Sequence, residues 1–395
     1  MPISKEVTMK KILLIALALV LALCVVSCKA DKQDEQKELE ETEAALANQN
    51  VVEAESGSGS FEYELNEEGK CEIVKYTPSS VKVVDLELPK TLDNRDVVGI
   101  AEDAFKADNT IKSVKIPEGY TYIDKNAFYD CDILTTVTVE GATLTRIGAN
   151  AFDGCDALES IVLPASLKTV EAFAFKDCAA LVSVDLSGAT TIGEGAFLRC
   201  AALKSATVSS DITKISKTSF VGCDALEYTV EDGACYLGNA DNKYVALVTA
   251  QNLDILSVKI NDATTVIADQ AFLNCDYLET ITLGKSITVI SASCFEGCEA
   301  LEYNESENGY YLGTEANPTM VLMGIIDLSK EDFSLSVDTK IICNNAFDNY
   351  VALQDILFAG TKEEWNAIEK TSDWNNGRTV RVVFADETIE PIIYN

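Results

Sequence analysis

A chain of 395 residues that carries 31 basic against 64 acidic side chains, a formal charge of −33 and no histidine excludes much chemistry before any motif is sought. Such a balance cannot neutralise a phosphate backbone, so nucleic acid is ruled out as a partner. Without an imidazole there is no Ser-His-Asp or Cys-His nucleophile, and the commonest metal ligand is missing. The 13 cysteines include no Cys-x-x-Cys pair, so neither a zinc site nor a redox motif is expected. There is no Gly-rich phosphate loop, and the Asp/Asn-rich turn at 239–242 lacks the spacing of an EF-hand. The carboxylates show no spacing that singles out an acid/base pair, so an enzyme would need a concealed carboxylate site. No catalytic residue, cofactor or metal is expected.

Taken from the N-terminus, Lys10 and Lys11 precede an apolar run over 12–26. It is too short to cross a bilayer comfortably and fits the core of an export signal, with Met9 as a second candidate start. Val25-Val26-Ser27-Cys28 resembles the cleavage box of a lipoprotein signal. Residues 1–27 are therefore expected to be removed and Cys28 to carry the lipid anchor, the alternative being a plain secretory signal with a chance cysteine. Cys24 fits less well, because Leu23 precedes it. Residues 28–60 read as an acidic tether that ends in Gly57-Ser58-Gly59-Ser60 and holds the rest of the chain off the membrane. In 61–96, Phe61, Tyr63 and Leu65 alternate, as do Cys71 and Ile73 beyond a turn at 67–70. With Val84-Leu86-Leu88 as a first strand, this segment is expected to be an N-terminal β cap.

From 97 to 358 the chain repeats. Phe105, Phe128, Phe152, Phe175, Phe197 and Phe220 follow one another at 22 to 24 residues, and Phe272, Phe295 and Phe347 continue the series. Five positions before each stands an isoleucine or valine, and immediately before each an Ala, Ser or Cys. Six positions after each stands a Leu or Ile. A period in the twenties predicts a repeat solenoid, each coil burying its apolar face on its neighbours. After the Leu the residues alternate, as in Ser160-Ile161-Val162-Leu163. Each coil should thus contribute one strand to a long parallel β-sheet, with Pro117 and Pro164 ending strands because proline has no N–H for the ladder. The small column before the Phe leaves room for the neighbouring coil.

Two repeats are longer, Phe220 to Phe272 and Phe295 to Phe347. Each contains a Tyr-Leu-Gly (Tyr236-Leu237-Gly238, Tyr311-Leu312-Gly313), then a turn-rich stretch and an apolar run. These are expected to be hairpins that protrude from the stack, either as tolerated insertions or as binding knobs. Roughly 11 coils are expected, which at ~4.8 Å per strand would give a stack ~50 Å long. In 359–395, a C-terminal cap, Thr361 should start a helix with Glu364 three residues later in a capping box, and Val380–Phe384 should be a strand.

The block Ile-x-x-x-Ala-Phe-x-x-Cys-x-x-Leu-x-x-Ile-x-Leu-Pro, most complete over 147–164 (IGANAFDGCDALESIVLP), resembles the BspA-like leucine-rich repeats of bacterial surface antigens. The resemblance covers about 97–368 and is specific because it recurs as a period. It implies a leucine-rich-repeat-like stack with capped ends. It implies an adhesin-like protein at the bacterial cell surface or outer face of the membrane that attaches to proteins or glycoproteins of a host or of other microbes. It also implies no catalytic residues. The departures are the two hairpin-bearing repeats, where Thr229/Glu231 and Asn304/Ser306 replace the apolar strand positions. A structural, envelope-associated protein without a host partner is the alternative reading.

The outward positions of the strands are the expected contact surface. They form two columns: Ser113, Thr136, Ser160, Ser183, Ser205, Tyr228, Thr280 and Tyr303 in one, and Lys115, Thr138, Val162, Asp185, Thr207 and Thr282 in the other. Hydroxyls also suit any solvent-facing strand, but tyrosine offers contact area at little entropic cost. Seven cysteines (131, 155, 178, 200, 223, 275 and 298) stand three after the Phe. In one register their side chains all point the same way, so they are expected to be buried free thiols rather than disulfides.

Overall fold

The computed structural model describes residues 50–53, 57–290, 292–343, 346–370, 374–375, 379–386 and 389–392. The export signal, Cys28 and most of the tether lie outside them. The chain divides into two units, 1–50 and 51–395, and the second is a β-solenoid of about 13 turns.

Each coil contributes to two parallel sheets. The first holds the alternating strands. Val84–Glu87, Ile111–Ile116, Thr136–Val139 and Ser160–Val162 pair in parallel, then Ser183–Leu186 with Ser205–Val208 and Ser257–Lys259 with Thr280–Thr282. Asp332–Leu335, Asp355–Phe358 and Val380–Phe384 follow. The second sheet is made of two-residue strands that carry the isoleucine column, with Ile123, Ile147, Val170 and Ile192 set rung on rung. The phenylalanines lie between the sheets. Phe105, Phe128, Phe152, Phe175, Phe197 and Phe220 form one stack with ring centroids 4.8 to 5.5 Å apart and planes within 9°. The Ala column beside them is fully buried from Ala127 to Ala196, so any larger side chain there would overpack the space between coils.

Every coil must turn sharply after its Phe. The residue two positions on has positive φ in each: Ala107 (55°), Asp130 (55°), Gly154 (78°), Asp177 (59°), Arg199 (63°), Gly222 (76°), Asn274 (60°), Gly297 (78°) and Asn349 (60°). Asp, Asn and Gly tolerate that region best, which accounts for most of the column. The turn carries the following cysteine inward. Its thiol donates to the carbonyl of the Phe one coil earlier: Cys131 to Phe105 (3.1 Å), Cys155 to Phe128 (3.1 Å), Cys178 to Phe152 (3.2 Å), Cys200 to Phe175 (3.0 Å) and Cys223 to Phe197 (3.0 Å). All eleven described cysteines are buried thiols. Burial pushes the Cys178 and Cys343 thiols up, so neither is a thiolate near neutral pH. Alkylation of the native chain should therefore spare these thiols, and denaturation without reductant should expose them to the reagent. A denatured, unreduced chain that takes up no label would mean disulfides instead.

A second spine runs beside the isoleucines. Thr145 Oγ1 donates to Thr121 O (3.0 Å), Thr213 Oγ1 to Thr190 O (3.1 Å) and Thr288 Oγ1 to Thr265 O (3.2 Å). Each hydroxyl supplies one coil-to-coil bond at a corner where the short strands leave carbonyls half used.

The hairpins do not protrude. Ala246–Ala250 and Val321–Ile325 pair antiparallel with Ala234–Leu237 and Gly309–Leu312. They also pair in parallel with the next coil, Leu247 on Ile267 and Leu322 on Ile342. Each hairpin strand is thus itself a rung, and the solenoid has about 13 turns against the roughly 11 expected. The physical reason is composition: Ala246-Leu247-Val248 and Val321-Leu322-Met323 are apolar on both faces and are buried. The preceding strands, Thr229–Glu231 and Asn304–Ser306, lack inward apolar residues and pair with the hairpins instead of extending the first sheet.

The N-terminal hairpin, Gly59–Leu65 with Cys71–Pro78, is built the same way. Its Tyr63 faces Ile73, as Tyr236 faces Leu247 and Tyr311 faces Leu322. A register shift immediately precedes the tyrosine in all three. Ile73 pairs in parallel with Ile100, as Leu247 does with Ile267. The described solenoid is therefore three blocks, each opened by one hairpin of the same design. Three residues after Ile73, Tyr76 N bonds Ala104 O (3.0 Å), and three after Leu247, Ala250 N bonds Ala271 O (2.9 Å). Phe105 N makes the same bond to Ala127 O (2.8 Å). Tyr76, Ala250 and, by the same spacing, Ile325 therefore occupy the Phe rung. Tyr76 continues the aromatic stack onto Phe105. Among the described residues no ring contact joins Phe220 to Phe272 or Phe295 to Phe347, because alanine and isoleucine stand between.

At the C-terminal end Thr361 caps the helix Lys362–Ala367, its side chain and that of Glu364 exchanging bonds with each other's backbone N–H. Trp365 and Trp374 pack over Phe358 and Phe347 and close the core.

Candidate binding surface

The first sheet places most of the expected contact residues side by side. Ser113, Thr136 and Ser160 are successive partners, as are Lys115, Thr138 and Val162. Ser183 faces Ser205, and Asp185 faces Thr207. Thr280 and Thr282 are joined by Ser257 and Lys259, which the phenylalanine spacing alone does not assign because the hairpin shifts the count. Asp85 and Glu87 extend the columns at one end, and Asp332, Asp355 and Arg381 at the other. Parallel pairing without offset follows from the inward residues: a slip of one would bury the hydroxyls and expose Val137, Ile161 and Val184.

Tyr228 and Tyr303 do not belong to these columns. Both are half-buried against the core, just ahead of the strands that turn into the hairpins. Burial pushes the Tyr228 phenol up, and that of Tyr303 up to about 12. Tyr303 leans on Tyr310, with centroids 5.6 Å apart. The two rings fill space at the hairpin junctions rather than project as contact anchors.

The charged members of the face are tied down. Lys115 bonds Glu87 (3.0 Å) and Glu140 (3.1 Å), and those partners raise its pKa. Arg381 grips Asp355 through two bonds of 2.6 and 2.7 Å. Between these ends the middle of the face carries two charges, Asp185 and Lys259, and an exposed valine, Val162 at 55%. The surface can therefore meet a partner through hydroxyl hydrogen bonds and a little apolar contact, with small desolvation cost. Among the described residues no cluster of His, Cys, Asp or Glu has the arrangement of a metal site, and no helix is long and apolar enough to cross a membrane.

The family profile of the BspA type leucine rich repeat region matches residues 98–227 and 249–317 in six copies, just over half of the chain. Solved structures similar to the chain include a leucine rich cell surface protein from Faecalibacterium prausnitzii, at 23% identity over 81% of this chain and 97% of that one, with a TM-score of 0.41. The T. pallidum leucine rich repeat protein is 26% identical over 57% of this chain and 91% of its own, with a TM-score of 0.42. A leucine-rich repeat protein from Bacteroides ovatus is 18% identical over 82% and 96%, with a TM-score of 0.39. No curated protein matches the chain.

Proposed function

The chain belongs to the BspA type leucine rich repeat family, and from that premise we propose that it is a non-enzymatic bacterial surface protein, lipid-anchored through Cys28, that holds a protein or glycoprotein partner on its first sheet. The observation that carries this reading is the register of the hydroxyl columns. Ser113, Thr136 and Ser160, then Ser183 and Ser205, present donors and acceptors along a rigid face. Loops that must be ordered on binding lose affinity to entropy, whereas a face fixed by its own ladder does not. The acidic excess supports solubility and steers basic partners without specifying one.

The test is retention of purified matrix proteins and microbial surface extracts on the immobilised full chain. Ser160→Arg and Ser183→Arg, both on exposed side chains, should each reduce retention of any captured protein by about tenfold, or 1.4 kcal/mol. Lys168→Glu, next to the second-sheet strand Thr169–Val170, should leave it unchanged. Equal retention by all three variants would remove the first sheet as the contact surface. Metabolic labelling with a palmitate analogue, lost in Cys28→Ala, tests the anchor separately.

A further inference from the structure

We propose a second binding site on the other sheet, a polar cleft at the junction of the first and second blocks that takes a short neutral saccharide. It goes beyond the protein-binding reading and does not depend on it. The second sheet runs as a regular ladder to Thr191–Ile192 and then loosens. Thr191 meets Lys214 through one isolated bridge, and Ser216 meets Asp269 through another. The hairpin rung at Leu247 lies on Ile267, yet Lys217 N and Asp269 O bond directly (2.9 Å). The inserted turn therefore cuts this corner, and the coils on either side of it touch. The opening left beside them is about 550 Å³, a volume typical of small-molecule sites.

The lining selects the ligand class. One wall is the in-register column Thr169, Thr191 and Lys214. Ser216, Asp269 and Gln270 line the cleft as well, with Glu171 and Glu194. Val170 and Ile192 lie with their side chains buried, and the other apolar lining residues are Ala149 and Ala172, which offer little grip to a large apolar ligand. Three carboxylates against one ammonium disfavour an anion. Glu171 is already paired with Arg146, so Asp269 and Glu194 stand against the Lys214 ammonium and the pull on a cation is weak. What remains is a ligand whose groups both donate and accept, and a sugar hydroxyl does both.

Several of the lining groups are already oriented. Glu171 accepts from Arg146 Nη1 (3.2 Å) and from Ala149 N (3.0 Å). Ser293 Oγ donates to Asp269 Oδ1 (3.2 Å), and the hydroxyls of Ser216 and Thr218 lie 2.9 Å apart. Polar groups held by their own bonds lose little freedom when a ligand arrives.

The experiment is saturation-transfer NMR and calorimetry on the full chain with cellotriose, maltotriose, mannotriose and triacetylchitotriose. At least one should bind, and Lys214→Ala and Gln270→Ala should each weaken it about tenfold. Thr280→Ala, on the first sheet, should not change it. Both cleft side chains are at least partly exposed, so the variants should fold, and circular dichroism checks that they do. Absence of binding by all four trisaccharides overturns the proposal. So does binding untouched by the two cleft substitutions, or preferential binding of a lysine-rich peptide that is lost in the same variants.

Discussion

Phe152→Ala should cost the first block about 3–5 kcal/mol. Phe152 is fully buried, with its ring 5.1 Å from both Phe128 and Phe175 and within 3° of parallel to each. The substitution removes the transfer energy of a whole aromatic side chain. It also removes two ring contacts worth about 0.5–1.5 kcal/mol each beyond burial. The hole cannot close, because the coil spacing is held on one side by the Ile147 rung and on the other by Ile161, both hydrogen-bonded to neighbouring strands. Phe152→Leu should recover most of the loss, since it restores apolar volume and forfeits only the stacking. Urea titration followed by circular dichroism measures both. A loss below about 1 kcal/mol for the alanine variant would mean that the stack collapses around the gap and is not the rigid spine inferred here.

The second large effect is where that loss is felt. In a solenoid each coil touches only its neighbours, so stability is a sum of local terms and interfaces. The interfaces at the two internal hairpins differ from the rest. The rungs there are Ala250 and Ile325, and the ring stack is broken; the first sheet is interrupted after Val208 and after Thr282, as it also is between Val162 and Ser183, but there the Phe152–Phe175 stack runs on. Apolar packing still crosses both joints, since Tyr236, Leu247, Tyr311 and Leu322 are all buried, but with less contact than a stacked ring pair provides. Hydrogen exchange read by mass spectrometry on the full-length Phe152→Ala protein should therefore show the opening energy of peptides within 97–208 falling by about 3 kcal/mol. Peptides within 332–370, beyond both joints, should change by less than about 0.5 kcal/mol. A fall of equal size along the whole solenoid would make it one cooperative unit and the joints irrelevant.

The repeat was legible because its physics is periodic. Ile147, Ala151, Phe152, Cys155 and Leu158 recur at fixed offsets in coil after coil, and a column of identical side chains can be satisfied only by stacking. Direction within the strand was legible too, since alternation at Ser160-Ile161-Val162 decides which residues face water. Much of the proposed contact face followed from those two facts. The hairpins were visible as sequence but their place was not. Apolar residues on both faces of Ala246-Leu247-Val248 are compatible with a protruding strand pair or with a rung inside the stack, and only the parallel pairing of Leu247 with Ile267 separates the two. The same holds for Tyr228 and Tyr303, which keep the column spacing yet are drawn against the core where the chain leaves the first sheet.

The amino-acid sequence by itself determined the fold class, the register within each ordinary coil, the inward turn of the cysteines and the absence of histidine-based chemistry. Each of these depends on side-chain type and on spacing inside one period. Tertiary structure alone decided that the three hairpins are one design, that the phenylalanine stack is broken twice, and that a polar cleft opens where Ser216 meets Asp269. Those outcomes depend on which coil lies against which, and residues 53 positions apart, such as Ser216 and Asp269, come together only after the intervening turn has cut its corner.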